Sequence, residues 1–338
     1  MAKVIQIGNK KIGGDNPVLI QSMCNTNTSN VKATVKQIKS LEKAGCEIIR
    51  VSVPDKESVK ALKHIKENIN IPLVADIHFN YKLAVASAPY VDKLRINPGN
   101  IKNIKEVVKA AEHIPIRIGV NSGSIEKDIF EKYGYSTKAL FESVKRNVKK
   151  LEDLNFYNIV ISAKMPNVQD TIEVYQLIAK EFNYPLHIGV TEAGTYQAGA
   201  IKSALGIGNL LQQGIGDTIR VSLTENPVKE IEVAKQILQF LNLRTFKREI
   251  ISCPTCSRAQ VDLIQITKQV EEKTKNIKPV KIAIMGCAVN GPGEAKHADI
   301  GIAFGGKKGV LFKKGKIIKT LPEDKLVEEL LKEIGKFL

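Results

Sequence analysis

The stretch "PVLIQSMCNTNTSN", residues 17–30, decides how the rest of the chain is read. It begins as a short apolar run of strand type and passes directly into a loop of Asn, Thr and Ser. An open, doubly wound sheet of the dinucleotide-binding kind carries a glycine-rich turn at that place. None is present here. Seven more runs of the same kind follow: "EIIRVSV", "IPLVADI", "VDKLRIN", "IPIRIGV", "YNIVISA", "PLHIGV" and "DTIRVSL". Helix-period segments such as "NVKATVKQIKSLEKAG", "DKESVKALKHIKEN" and "YKLAVASAPY" alternate with them. Eight strand-then-helix units in about 245 residues have the size and rhythm of a (β/α)₈ TIM barrel, and that fold is expected.

Past "FLNLRTFKRE" the rhythm changes. A strand in "EIISCPTC", a helix over about 257–273 and strands in "VKIAIMGC", "ADIGIAF", "GVLFKK" and "KIIKTL" are predicted. A closing helix follows in "PEDKLVEELLKEIGKFL". The expectation is an α/β chain of two domains, a TIM barrel over 1–245 and a smaller α+β domain over 246–338. A mobile linker is expected near 243–250.

Composition narrows the function classes. The 338 residues are 43% hydrophobic and 25% charged, as in an ordinary globular protein. The N-terminal "MAKVIQIGNKKIGGDNP" has no apolar core of signal-peptide length, and "VKIAIMGCAV" is about half a membrane span. A cytoplasmic protein without a membrane segment is expected. The net charge of +16 invites a nucleic-acid reading. The lysines, however, are scattered through helical segments, and aromatics are 5% with no Trp, so stacking platforms for bases are scarce. An anionic small substrate fits the same charge, and no nucleic-acid partner is expected.

Barrel enzymes keep their chemistry at the C-terminal ends of the strands. Those ends carry Arg50, Asp76 with His78, Arg95 with Asn97, Arg117 with Asn121, Lys164, Glu192, and Arg220 with Ser222. Any one of the five cations could pair with a carboxylate or sit one residue off the pocket face. A ring of five makes sense around an anion, and the arginine fork suits phosphate oxygens. "NPGN" and "NSGS" offer backbone N–H groups for the same purpose. Glu192 is the acid among these bases, either a proton donor beside phosphate or a neutraliser of a neighbouring cation. His78 fits an acid, a hydrogen-bond donor or a packed histidine.

Three of the five cysteines fall in the last quarter of the chain. Cys253 and Cys256 form a C-x-x-C pair, and Cys287 stands alone in "GCAVNGPGEAKHAD", residues 286–299. Structural zinc would need a second pair, whereas an iron–sulfur cluster tolerates a non-thiolate at one iron. Glu294 and His297 are both candidates for that place, and a closed structural metal site remains the alternative. Cys24 and Cys46 follow no ligand spacing and read as small buried residues.

"SCPTCSR" and "GCAVNGPGEA", together with "ADIHF", "RINPGN", "IRIGVNSGS", "TEAG" and "GIGDTIRVSL", resemble in order the motifs of the bacterial 4-hydroxy-3-methylbut-2-enyl diphosphate synthases. These are iron–sulfur reductases of the non-mevalonate isoprenoid pathway. The resemblance spans essentially the whole chain. It implies one [4Fe-4S] cluster per chain held by Cys253, Cys256, Cys287 and Glu294. It implies reductive ring opening and dehydroxylation of 2-C-methyl-D-erythritol 2,4-cyclodiphosphate, with two electrons from ferredoxin or flavodoxin. It further implies a head-to-tail homodimer in which one chain's cluster domain covers the other's barrel mouth. Matched motif by motif, Arg50, Arg95, Arg117, Lys164, Arg220 and Ser222 would grip the diphosphate. Asp76, His78 and Asn121 would line the pocket, and Glu192 would supply a proton. Cys24 stands where the family more often has threonine.

Overall fold

The computed structural model describes residues 1–275, 277–287, 293 and 295–336. It divides into two compact units, Met1–Arg244 and Thr245–Leu338.

In the first unit all eight expected strands form. They are β3 (Leu19–Met23), β4 (Ile48–Ser52), β5 (Leu73–Asp76), β6 (Lys93–Ile96), β7 (Ile116–Asn121), β8 (Ile159–Lys164), β9 (His187–Ile188) and β10 (Thr218–Ile219). They pair in parallel in the order β8-β7-β6-β5-β4-β3-β10-β9. A parallel bridge between Ile161 and Leu186 links the two ends of that order. The helices between them start on side-chain caps. For α1 (Val31–Ala44), Asn30 accepts the Ala33 N–H, and the helix stops at Gly45, whose φ of 102° is the left-handed conformation glycine takes without strain. For α2 (Lys56–Glu67), Asp55 accepts the Ser58 N–H at 2.7 Å. After β5, β6, β7, β8, β9 and β10 come α3 (Tyr81–Ser87), α4 (Ile104–Ala110), α5 (Lys127–Tyr133) with α6 (Thr137–Glu152), α7 (Val168–Glu181), α8 (Tyr196–Gln212) and α9 (Pro227–Phe240).

One element is absent from the sequence-based expectation. An antiparallel hairpin, β1 (Ile5–Ile7) and β2 (Lys10–Ile12), precedes the barrel and turns at Gly8, where φ is 53°. Its Ile5, Ile7 and Ile12 pack on Leu19, Ile48, Val74 and Val160, near the beginnings of barrel strands. Each such buried aliphatic side chain contributes about 1.5–3 kcal/mol. This end of the barrel is therefore an apolar plug, which leaves the opposite end for chemistry.

The second unit holds a five-stranded sheet in the order β11-β12-β13-β14-β15. Its strands are β11 (Glu249–Ser252), β12 (Lys281–Met285), β13 (Ile300–Phe304), β14 (Lys308–Lys313) and β15 (Lys316–Pro322). The first three run parallel and the last two are antiparallel. Leu263 and Val270 of α10 (Leu263–Lys273) and Leu326 and Leu330 of α11 (Glu323–Gly335) bury one face of the sheet with Ile282, Ile284, Ile300 and Ile302. The expected helix over 257–273 begins later, at Leu263. Its predicted first turn is spent on loop bonds, Ala259 N–H to Cys256 O and Gln260 N–H to Gly286 O, and Asp262 caps the helix that follows. Among the described residues, no helix is long and apolar enough to cross a membrane.

Candidate functional site: a cationic barrel mouth and a cysteine edge

Alternation along each strand turns every second residue into the barrel. Register then sets Arg95 beside both Asp76 and Arg117, and Lys164 beside Asn121. Asp76 is the hub. Its Oδ1 accepts Arg95 Nη1 at 2.8 Å, its Oδ2 lies 3.4 Å from Arg50 Nε, and the His78 ring nitrogen is 3.6 Å away. Burial pushes the Asp76 carboxyl pKa up, but Arg50, His78 and Arg95 together outweigh it and hold the group well below the usual carboxylate range. Asp76 is ionised, and its charge is shared between two guanidiniums.

Arg95 also donates to the Gly119 carbonyl at 3.1 Å and touches His78 Nε2 at 3.2 Å. A side chain at Gly119 would put its Cβ 2.3 Å from Arg95 Nε, so only glycine lets the arginine cross here. At Gly189 an added Cβ would lie 2.4 Å from the Arg220 carbonyl and 2.8 Å from Lys164 Nζ, so glycine is needed there for the close approach of the neighbouring strand. Arg50 lies along the Met23 sulfur and is pushed down to about 9, by burial first and then by Arg220 and Arg95 against the pull of Asp76. Arg220 reaches Glu230 at 3.5 Å, and Glu230 also accepts Ser22 Oγ at 3.0 Å and the Leu223 N–H at 3.1 Å.

Lys164 and Arg117 are different. Both are buried, and neither has a salt bridge among the described residues. Nε and Nη1 of Arg117 have no hydrogen-bond partner among the described residues. Burial, and then the neighbouring arginines, pushes the Lys164 ammonium far below an ordinary lysine. Among the described residues these five cations thus face two buried carboxylates, Asp76 and Glu230, even before the buried Lys93 is counted, which leaves a surplus of positive charge in a water-poor space. Such a surplus is costly without an anion.

The other expected mouth residues are placed as follows. Asn121 ends β7 and its N–H is held by Ser124 Oγ at 3.1 Å. Asn97 is buried and accepts the Gly99 N–H at 3.0 Å, shaping the "NPGN" loop. His78 is half exposed and Ser222 half-buried. Glu192 is exposed, and its φ of 52° is left-handed, a strained conformation for a side-chain-bearing residue and one that clusters at functional sites. Glu230, Gln21, Lys93 and His187, all buried around this interior, were not singled out by sequence reasoning. For Lys93 the signal was available, since it stands two residues before Arg95 on one strand and so shares its face.

In the second unit, Cys253 follows β11 and Cys287 lies just past β12. These strands are parallel neighbours, with Ser252 opposite Ile284, so both thiols come to one edge of the sheet. The Gly286 N–H donates to Cys253 Sγ at 3.2 Å. Cys256 is exposed, and its thiol pKa is lowered, first by the Arg258 backbone N–H and then by the Arg258 side chain. Soft donors, a thiol already tilted toward thiolate, and convergence on one edge fit an iron–sulfur group. Among the described residues no three His, Cys, Asp or Glu side chains are gathered as a metal-holding set. Glu294, expected as the fourth ligand, lies outside the described residues. His297 is exposed. Cys24 and Cys46 are buried, and burial is the main cause that pushes both thiols up to about 12, so they are packing residues.

Comparison with known proteins covers both units. Residues 2–235 match the GcpE TIM-barrel domain and residues 249–336 the GcpE protein C-terminal domain. The 4-hydroxy-3-methylbut-2-en-1-yl diphosphate synthase (flavodoxin) of Caldanaerobacter subterraneus subsp. tengcongensis is 58% identical, over 100% of this chain and 98% of that protein. The protein of the same name from Fusobacterium nucleatum subsp. nucleatum is 55% identical, over 99% and 97%. Among solved structures, dihydropteroate synthases resemble the barrel. That of Yersinia pestis superposes with a TM-score of 0.51 at 12% identity, covering 72% of this chain and 98% of that one. That of Stenotrophomonas maltophilia gives 0.52 at 11%, covering 71% and 98%. At such identity the likeness shows the barrel fold alone. Matches to both domains in order, and relatives of this identity along the whole chain, place the protein in the GcpE family.

Proposed function

We propose that the protein is a 4-hydroxy-3-methylbut-2-en-1-yl diphosphate synthase. It opens the ring of 2-C-methyl-D-erythritol 2,4-cyclodiphosphate and removes a hydroxyl as water, consuming two electrons and two protons. The observation that carries this reading is the surplus of cations at the barrel mouth, where buried Arg95, Arg117 and Lys164 and part-buried Arg50 and Arg220 meet two buried carboxylates among the described residues.

Arg50, Arg95, Arg117, Lys164, Arg220 and Ser222 grip the diphosphate. Arg117 and Lys164 contribute most to its binding, because their charges are not already spent on carboxylates. Asp76 keeps Arg50 and Arg95 in place before the substrate arrives, so little reorganisation is needed on binding. His78 and Asn121 line the carbon skeleton. Glu192, held by its left-handed backbone, supplies a proton as the carbon–oxygen bond breaks. Cys253, Cys256 and Cys287, with Glu294, would hold one [4Fe-4S] cluster per chain, which when bound supplies the electrons and a Lewis-acidic iron. The flavodoxin in the relatives' names supports flavodoxin as the donor, with ferredoxin as the alternative carrier. A head-to-tail homodimer in the cytoplasm completes the reading, with the barrel over 1–245 taking substrate and the domain over 246–338 taking the cluster.

The test is anaerobic reconstitution with iron and sulfide, followed by the cyclic diphosphate and a reductant. The expected result is a brown protein that bleaches on reduction and yields 4-hydroxy-3-methylbut-2-enyl diphosphate by mass spectrometry. Cys287→Ser is expected to lower cluster content and abolish product, a loss of about 1,000-fold or more. A colourless protein that holds one zinc and leaves the substrate intact would overturn the proposal.

A further inference from the structure

Beneath the rim lies a second tier of polar side chains. Gln21, Lys93, Arg117, His187 and Thr218 each stand two residues before Met23, Arg95, Gly119, Gly189 and Arg220 on their strands, one step deeper in the barrel. All five are buried, and the apolar plug closes the barrel below them. His187 pairs with Thr218 at 2.9 Å, and burial, followed by Arg117 and Lys164, keeps its ring neutral.

Lys93 is the anomaly of this tier. It is 0% exposed, and its Nζ has one neutral acceptor, Gln21 Oε1 at 3.3 Å. No carboxylate reaches it among the described residues. Gln21 Nε2, Arg117 Nε and Nη1, and His187 Nε2 are likewise buried without hydrogen-bond partners among the described residues. Burial, and then Arg117 and Arg50, drives its ammonium far below an ordinary lysine. A lysine that only filled space could be replaced by methionine of similar length without the cost of burying an ammonium.

We propose that Lys93 is a positioning residue for the substrate's diphosphate, set beside Arg117 one tier below Arg95 and balanced by the anion that these arginines bind. This inference rests on the reading of the rim as the diphosphate site. Two residues along a strand span about 7 Å, short enough for the anion's charge to act strongly on Lys93 through a water-poor interior. The anion supplies the negative charge that the tier lacks, while the Lys93 ammonium adds to the charge of Arg117 beside it.

Calorimetry with inorganic pyrophosphate tests this on the full chain. The unaltered protein is expected to bind, and Lys93→Met to raise Kd about tenfold while the melting temperature of the ligand-free protein stays equal or rises. In the reconstituted enzyme the same change is expected to raise KM for the cyclic diphosphate and leave kcat within about threefold. Should Lys93→Met fail to accumulate, Lys93→Gln removes the charge and keeps a partner for Gln21. An unaltered protein that binds pyrophosphate beside a variant with the same Kd overturns the role of Lys93 alone. Failure of the unaltered protein to bind pyrophosphate overturns the rim reading and this inference together.

Discussion

At the barrel mouth Asp76 holds two partners and Glu230 three within 3.5 Å, whereas at the cysteine edge Cys253 Sγ is met by a backbone N–H at 3.2 Å. The mouth is assembled by buried side chains that brace one another. The edge is assembled by loops, in which a backbone N–H meets the Cys253 thiol. A buried network must be largely complete before a ligand arrives, because a half-satisfied one costs more than an apolar core. A thiolate site draws part of its order from the group it binds. Sites of the first kind should respond to mutation through stability and affinity. Sites of the second kind should respond through loading of the cluster.

Glu192→Gln is expected to have the largest effect at the mouth, lowering kcat about 100- to 1,000-fold with pyrophosphate Kd unchanged. Steady-state kinetics with calorimetry on one preparation separates the two, and wild-type turnover would remove Glu192 from the chemistry. Asp76→Ala leaves Arg50 and Arg95 without their shared carboxylate and is expected to destabilise the barrel by about 3–5 kcal/mol at pH 7. Because the folded Asp76 pKa lies below its unfolded value of about 3.9, its stabilisation is complete above that pH and is lost progressively as pH falls from there through the folded value. Urea unfolding should therefore show the gap between parent and variant shrinking by about 1 kcal/mol at pH 3. A gap independent of pH would mean that Asp76 acts through packing. The mildest perturbation compares cysteines. At pH 8, in cluster-free protein, Cys256 should alkylate at least about 100 times faster than Cys24 or Cys46, read by mass spectrometry. Comparable rates at Cys24 would show that the barrel opens and would break the contrast between the two regions.

The β1–β2 hairpin shows how a legible signal escapes. Its strands are three residues each and lysine-rich at the turn, too short for alternation to stand out. The Gly8–Asn9 pair marked the turn, since glycine at the first central position suits a two-residue hairpin loop. The onset of α10 differs from the expectation because 257–262 is polar and helix-compatible, while the Ala259 N–H is taken by the Cys256 carbonyl and the Gln260 N–H by the Gly286 carbonyl just past β12. Lys93 and Glu230 lay within elements read correctly; the period of two from Arg95 put Lys93 on the inward face, whereas nothing local distinguishes a solvated glutamate from the buried Glu230.

What the sequence determined by itself is the eight-fold rhythm, the change of pattern near 245, the cationic strand ends and the C-x-x-C pair. Each is written in residue spacing of periods two and 3.6, and spacing survives without a partner. Tertiary structure alone decided which cations keep their charge for a ligand. Arg50 and Arg95 spend theirs on Asp76, and Arg220 leans on Glu230, while Arg117, Lys164 and Lys93 have no carboxylate among the described residues. Electrostatic pairing depends on distance through space and on exclusion of water, and neither is local to the chain.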